Sequence, residues 1–355
     1  MNIFKKLFTS DNSNNVNDNP LCNETDTSDN TEDINNTENE ASEPDAENKE
    51  KEERDTEFET LRDDGLRAMR MNEFQYAERL FKGALTRKDD EATKSYLAEV
   101  YLRVGDGVHA LPLLEELAEL HPDNEELLVT TARAAEMAGE WDKARDAARL
   151  ALDINENNPN AKFSIAKADY QQKNYLHAVA MLTELTSKNF DAAPILQLRA
   201  QTLFDMQQYS AAEEDIDNLL EREEVSEEAY LLKGDIRHAL GDNAGAAGYY
   251  AKMRDNDPFN KESVLRENAV YLEDKNLEKA IRLLDEAIDL QPEFAEAYFQ
   301  RGNVRRMLHD EAGAADDLKR ALELNEAIAT QFSGEYSNIE NQMNAQARFR
   351  NPFGF

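Results

Sequence analysis

The sequence is short of three things: cysteine, uninterrupted apolar runs and positive charge. Its 355 residues include one cysteine, Cys22, which permits neither an intramolecular disulfide nor a cysteine-based metal site. No stretch approaches the roughly 18–20 apolar residues that a membrane span needs, which excludes an integral membrane protein of the helical kind. Lys and Arg number 40 against 74 Asp and Glu, a formal net charge of −34. A chain that acidic repels phosphate backbones, so general nucleic-acid binding is not expected. Apolar residues make up 40% and charged residues 32%, enough to build a core but below the apolar share of an average globular protein. Length alone suggests two or three domains; the pattern along the chain points instead to one long array.

The acidity is uneven. Residues 1–57 hold 17 acidic and 5 basic residues, a net of −12, which leaves −22 for the remainder. Between Asp11 and Glu57 the strongly apolar residues are Val16, Leu21 and Ile34 alone. Burial of so little surface cannot offset the entropy of ordering, so residues 1–57 read as a disordered acidic tail. The opening octamer Met1-Asn2-Ile3-Phe4-Lys5-Lys6-Leu7-Phe8 differs, with apolar residues flanking two lysines. It is too short for the core of a secretory signal, and no small-residue cleavage site comes after it. Leu21-Cys22 has no preceding apolar run, which argues against a lipoprotein anchor. Two readings of the octamer stand: a frayed terminus, or a motif for weak membrane-surface contact or partner docking on an acidic tether. The chain as a whole reads as cytoplasmic, without stable membrane insertion.

A repeat of 34 residues organises the rest of the chain. Ala77 is followed by Ala110 after 33 residues, then by Ala144, Ala178, Ala212, Ala246, Ala280 and Ala314 at steps of 34. Four residues after each alanine stand Phe81, Leu114, Ala148, Leu182, Ile216, Tyr250, Leu284 and Leu318. Three further on stand Ala84, Leu117, Ala151, Leu185, Leu219, Met253, Ala287 and Ala321. An apolar i, i+4, i+7 pattern marks one face of an amphipathic helix. Twelve residues before each alanine lies a second, mostly small register of Gly65, Ala98, Ala132, Ala166, Ala200, Gly234, Asn268 and Gly302, where a neighbouring helix can approach closely. Gly105, Gly139 and Gly241 fall between the two registers and suit helix C-caps. Pro122, Pro258 and Pro292 sit at repeat ends, where a second helix must stop. Each unit therefore reads as helix, tight turn, antiparallel helix and short linker. One such hairpin cannot bury its apolar face alone, whereas a stack buries a continuous core.

This pattern resembles the tetratricopeptide repeat (TPR) family, over residues 58–328 and about eight units. Gly302, Ala314 and Ala321 fit the family pattern, as do Gly234, Ala246 and Pro258; Trp141, Tyr175 and Tyr209 fit the aromatic that opens the second helix. The departures are Asn268 at the small position, Gly107, Asn243 and Glu311 at the aromatic position, and Asp89, Glu156, Phe190, Glu224 and Glu326 where proline is usual. The resemblance implies an all-α, right-handed superhelical solenoid of helix-turn-helix repeats, with the first helix of each lining a concave groove that binds extended peptides or helices. Residues 329–355 are expected to cap the last repeat, through Phe332, Tyr336, Ile339 and Met343. They end in a basic-aromatic tail, Arg348-Phe349-Arg350-Asn351-Pro352-Phe353-Gly354-Phe355, which is either a loose tail or a linear docking motif.

Nothing in the sequence assembles enzyme chemistry. His109, His121, His177, His238 and His309 are scattered, with no HExxH and no Cys/His cluster. Gly105-Asp106-Gly107 and the glycines from Gly241 to Gly248 lack the Lys-Ser/Thr ending of a phosphate loop. No cofactor, metal or catalytic residue is expected.

The candidate working surface is the groove that the resemblance implies. One inner register runs Leu66, Glu99, Arg133, Lys167, Gln201, Asp235, Ala269 and Asn303; others carry Glu136, Tyr170 and Phe204, or Phe163 and Gln197. Arg133, Phe163, Lys167, Tyr170, Gln197, Gln201 and Phe204 are expected to converge on one patch. Cations and amides there would bind carboxylates or backbone carbonyls, and aromatics would supply contact area. The alternative is that these side chains pack between helices and the face is unselective. The carboxylate clamp of some co-chaperone members of the family is not assembled, because Phe299 stands at a lysine position before Gly302-Asn303 and Leu66 at an asparagine position after Gly65. The leading expectation is a non-catalytic scaffold or adaptor for protein partners. The other class is a structural assembly subunit that self-associates or packs permanently into a larger complex, and a third is a sensor of a small peptide signal.

Overall fold

The computed structural model describes residues 46–188, 193–221 and 227–328. Among these the secondary structure is helical, with sixteen α-helices and no strand. They belong to two compact units divided between Asn174 and Tyr175. The first holds α1 (Ala46–Arg70), α2 (Phe74–Leu85), α3 (Glu91–Arg103), α4 (Gly107–Leu120), α5 (Glu125–Ala138), α6 (Trp141–Ile154) and α7 (Pro159–Gln171). The second holds α8 (Tyr175–Ser187), α9 (Ala193–Asp205), α10 (Tyr209–Leu220), α11 (Glu227–Ala239), α12 (Asn243–Asn256), α13 (Lys261–Glu273), α14 (Leu277–Leu290), α15 (Ala295–Met307) and α16 (Glu311–Leu324). Within each unit every helix packs on its neighbours in sequence, and first helices of adjacent repeats also touch, as α5 does α7 and α9 does α11. The octamer 1–8, the expected capping helix and the tail of 329–355 lie outside the described residues.

One boundary differs from the expectation. The sequence places the end of the acidic tail at residue 57, whereas α1 begins at Ala46. Residues 50–57 are exposed throughout, and burial starts at Phe58. Poverty in apolar residues rules out burial but not helix: this stretch is rich in Glu, Lys and Arg, which are strong helix formers. It extends α1 outward from the first packed residue.

The repeat registers are the core. All eight register alanines are at most 2% exposed, and the apolar residues four and seven positions later are buried with them. The small register is buried too, and at two of its positions an aromatic ring sixteen positions on leaves room for glycine alone. A Cβ at Gly65 would lie 2.6 Å from the Phe81 ring, and one at Gly234 would overlap the ring of Tyr250. Where the facing residue is Leu114, Ala148 or Leu182, alanine suffices. Gly107, a departure from the aromatic pattern, has a local reason: a Cβ there would sit 2.6 Å from the Ala134 carbonyl oxygen, so α4 starts hard against the backbone of α5.

The turns are as regular. Five residues before each register alanine the backbone is left-handed: Asn72, Gly105, Gly139, Lys173, Gln207, Gly241, Lys275 and His309 all have φ between 57° and 82°. The next amide reaches back to a carbonyl five residues earlier, as Asp106 N–H to Tyr101 O (2.8 Å) and Asn276 N–H to Tyr271 O (2.8 Å) do. This is the helix-terminating geometry that satisfies otherwise orphaned carbonyls. Helix starts are capped by short acceptors: the side chains of Asp90, Asp106, Asn124, Asn158, Asp242, Asn260, Asn276 and Asp310 each accept from the backbone amide three residues on.

The second unit adds ion pairs at one register. The residue before the small position is Asp64, Leu97, Thr131 or Ile165 in the first unit, where Asp64 pairs with Arg67 on its own helix, and Arg199, Lys233, Glu267 or Arg301 in the second, whose partners lie on other helices. Arg301 donates to Asp317 through Nε (2.9 Å) and Nη2 (2.6 Å) and to Asp285 through Nη1 (2.7 Å). Lys233 Nζ lies 2.9 Å from Glu213 and 2.6 Å from Asp217, Arg199 grips Asp215, and Glu267 pairs with Arg254.

Candidate functional site

The first helices carry the candidate residues, and the two units hold separate sets. In the first unit α5 presents Arg133, and α7 presents Phe163, Lys167 and Tyr170. In the second, α9 presents Gln197, Gln201 and Phe204.

Arg133 is exposed and makes no hydrogen bond or ion pair among the described residues. Lys167 is engaged, contrary to the expectation of an available cation. Its Nζ lies 2.9 Å from Glu136 Oε2 and 4.8 Å from the centroid of the Phe163 ring. Glu136 is buried to about nine-tenths, with its other oxygen unpartnered, and burial of a lone carboxylate costs several kcal/mol. Lys167 and Glu136 therefore form a built pair with a structural duty, and Phe163 and Tyr170 are half-buried on the same helix as Lys167. One repeat earlier, Glu99 occupies the register of Arg133. It is 8% exposed, and Arg103 holds its Oε1 at 2.7 Å.

On α9 the amide nitrogen of Gln201 donates to Asp205 Oδ1 (3.1 Å), and the Phe204 ring lies 5.5 Å from that of Tyr209, tilted by 55°. Phe204 also packs on the core around Ala200, Leu203 and Ile216. Gln197 Oε1 is buried without a partner. This set is thus partly spent on packing.

The registers in which Glu136 and Asp235 stand were visible in sequence, but their bonds were not. The signal is a spacing of 31 residues, three short of the period: Glu136–Lys167 and Asp235–Arg266 both have it. Asp235 also accepts from the Tyr250 hydroxyl (2.7 Å). Burial pushes its carboxyl above the usual range despite both donors. Burial and the bond to Asp235 push the Tyr250 phenol upward in turn. A carboxylate tied to a core tyrosine and a neighbouring helix supports packing between repeats.

Among the described residues no group of three or more His, Cys, Asp or Glu is placed to hold a metal ion. No described helix is long and apolar enough to cross a membrane.

Models of the tetratricopeptide repeat match residues 101–162, 198–261 and 270–328. Among solved structures, the type IV pilus biogenesis factor PilW is similar at 19% identity and a TM-score of 0.50, over 58% of this chain and 96% of its own. Pseudomonas aeruginosa pilF is similar at 15% identity and a TM-score of 0.47, over 62% of this chain and 99% of its own. A tetratricopeptide repeat protein from Parabacteroides merdae is similar at 18% identity and a TM-score of 0.43, over 78% and 97%. Such identities speak to fold alone. No curated protein matches the chain.

Proposed function

The chain belongs to the tetratricopeptide repeat family, and from that premise we propose that it is a non-catalytic scaffold whose first-helix faces bind protein partners or extended peptides. Protein partners are what the family implies; the face and its chemistry are the proposal. The observation that carries it is Arg133, an exposed cation without a partner among the described residues in a chain of net charge −34. Its neighbours on the same faces, Arg103 and Lys167, are already paired with Glu99 and Glu136. An unpaired guanidinium keeps its planar fork of donors for a partner's carboxylate or carbonyl oxygens. Phe163 and Tyr170 on α7 supply aromatic contact area. Gln197, Gln201 and Phe204 on α9 form a second set with amide and aromatic chemistry.

The pairing of Lys167 dictates the experiment. Lys167→Glu would set two carboxylates side by side and damage the fold, so Arg133→Glu is the cleaner variant. In a crosslinking pull-down, Arg133→Glu is expected to lose the partners that the wild type recovers, with unchanged helical circular dichroism. Equal recovery by both proteins would remove Arg133 from the binding face.

A further inference from the structure

A groove of about 510 Å³ lies on the first unit between α4 and α6, with α5 as its floor. Its apolar lining is Ala118, Pro122, Leu128, Ala147 and Leu150. Leu150 is 54% exposed, and Ile154, one turn along α6, is 45% exposed. Leu128 and Ala147 are themselves buried at 2% and 8% and form the floor of the groove, so the exposed apolar side chains here are Leu150 and, beside the groove, Ile154. The rim is acidic. Glu115, Glu119 and Asp146 stand there, with Lys143 Nζ held 2.8 Å from Glu115 and Arg149 3.8 Å from Asp146. Glu119 makes no ion pair among the described residues. What fits the groove is a short apolar segment carrying positive charge.

The chain contains such a segment. Residues 1–8 hold Ile3, Phe4, Leu7 and Phe8 with Lys5 and Lys6 between them, and no other basic residue occurs before Lys49. Residues 9–45 separate it from α1 and carry 11 acidic residues. At up to ~3.3 Å per residue these 37 residues outreach several times the ~21 Å length of a fourteen-residue helix. The linkage makes docking intramolecular, which raises the effective concentration of the segment far above that of a free peptide. We propose that residues 1–8 seat in the α4/α6 groove, with the apolar side chains against Leu150 over the floor of Leu128 and Ala147 and the lysines facing the rim, Glu119 first among its carboxylates. This surface is distinct from the first-helix faces, and either reading can fail without the other.

The test uses a fluorescent peptide of residues 1–8 and the otherwise full chain lacking those residues, read by anisotropy. The truncated protein is expected to bind the peptide, and binding should weaken as salt screens the rim. The intact chain should bind it about tenfold or more weakly, because its own segment occupies the groove. Leu150→Glu and Glu119→Lys, both surface changes checked by circular dichroism, should each weaken binding to the truncated protein. No binding to the truncated protein overturns the proposal. So does equal binding by truncated and intact chains, or indifference to both substitutions. Self-competition that appears only as the protein concentration rises, with a matching gain in mass by light scattering, would put the segment of a second copy in the groove and overturn docking in cis. Equally tight binding by a peptide of residues 348–355 would overturn the assignment of the occupant.

Discussion

At the scale of single residues, the most demanding position is the left-handed one in each turn. Glycine adopts it freely, whereas other residues bear a cost of ~1–2 kcal/mol. Gly105, Gly139 and Gly241 announce it in the sequence; Asn72, Lys173, Gln207, Lys275 and His309 do not. The position is imposed by the carbonyls at the end of the first helix, which need amide donors whatever residue stands there. Lys275→Gly is therefore expected to stabilise the second unit by about 0.5–1 kcal/mol, the relief of strain less the entropy lost by glycine. Urea denaturation followed by circular dichroism checks this, and a loss of stability would contradict it. The registers of small and large residues were legible because period and size are properties of the sequence. The bonds of Lys167 were not, because a partner 31 residues away becomes a neighbour only once the stacking of first helices is known.

At the scale of helices, the two units bury different chemistry at the same register. Leu97 and Ile165 pack there in the first unit, and Arg301 with Asp317 pairs there in the second. Asp317 is 5% exposed and also meets Arg305 at 3.0 Å. Asp317→Ala would leave Arg301 short of its bidentate partner in a site that is 14% exposed. Loss of one member of a buried pair costs ~3–5 kcal/mol. A fall of that order in the unfolding free energy of the second unit is expected by denaturant titration, and a change below about 1 kcal/mol would class the pair with surface bridges. Helix identity and the turn between helices could be read from the sequence. The start of α1 could not, since an exposed helix leaves no apolar periodicity to detect.

At the scale of the whole molecule, the charge acts differently in its parts. In the second unit Glu213 is held below the usual carboxylate range: burial works against it, but the bonds from Lys233 and Arg237 prevail. A carboxylate with a depressed folded-state pKa contributes stability above its unfolded pKa, and that contribution fades as pH falls through the folded value. Stability of the second unit should thus decline as pH falls below the ordinary glutamate value of about 4.3, and Glu213→Gln should flatten that decline. Denaturation midpoints through that fall in pH, read by a probe in the second unit, are the measurement; an unchanged slope would show that other carboxylates govern it. At this scale periodicity made the repeating helical hairpin legible, and the resemblance to the tetratricopeptide repeat family implied the solenoid. The division between Asn174 and Tyr175 was not, because the repeat runs through it without a break in register.

The common left-handed turn also governs how such a chain can change length. Among the described residues each first helix of a repeat ends in the same left-handed joint at the same register, so a stretch cut from one joint to the next leaves the junction as it was. An insertion or loss of one residue inside a helix instead turns everything beyond it by ~100°, carrying alanines to solvent and carboxylates to the core. The molecule is tolerant of whole periods and intolerant of fractions of one. Its length is in effect quantised, and any related chain that keeps the fold should differ from it by whole hairpins or in its linkers.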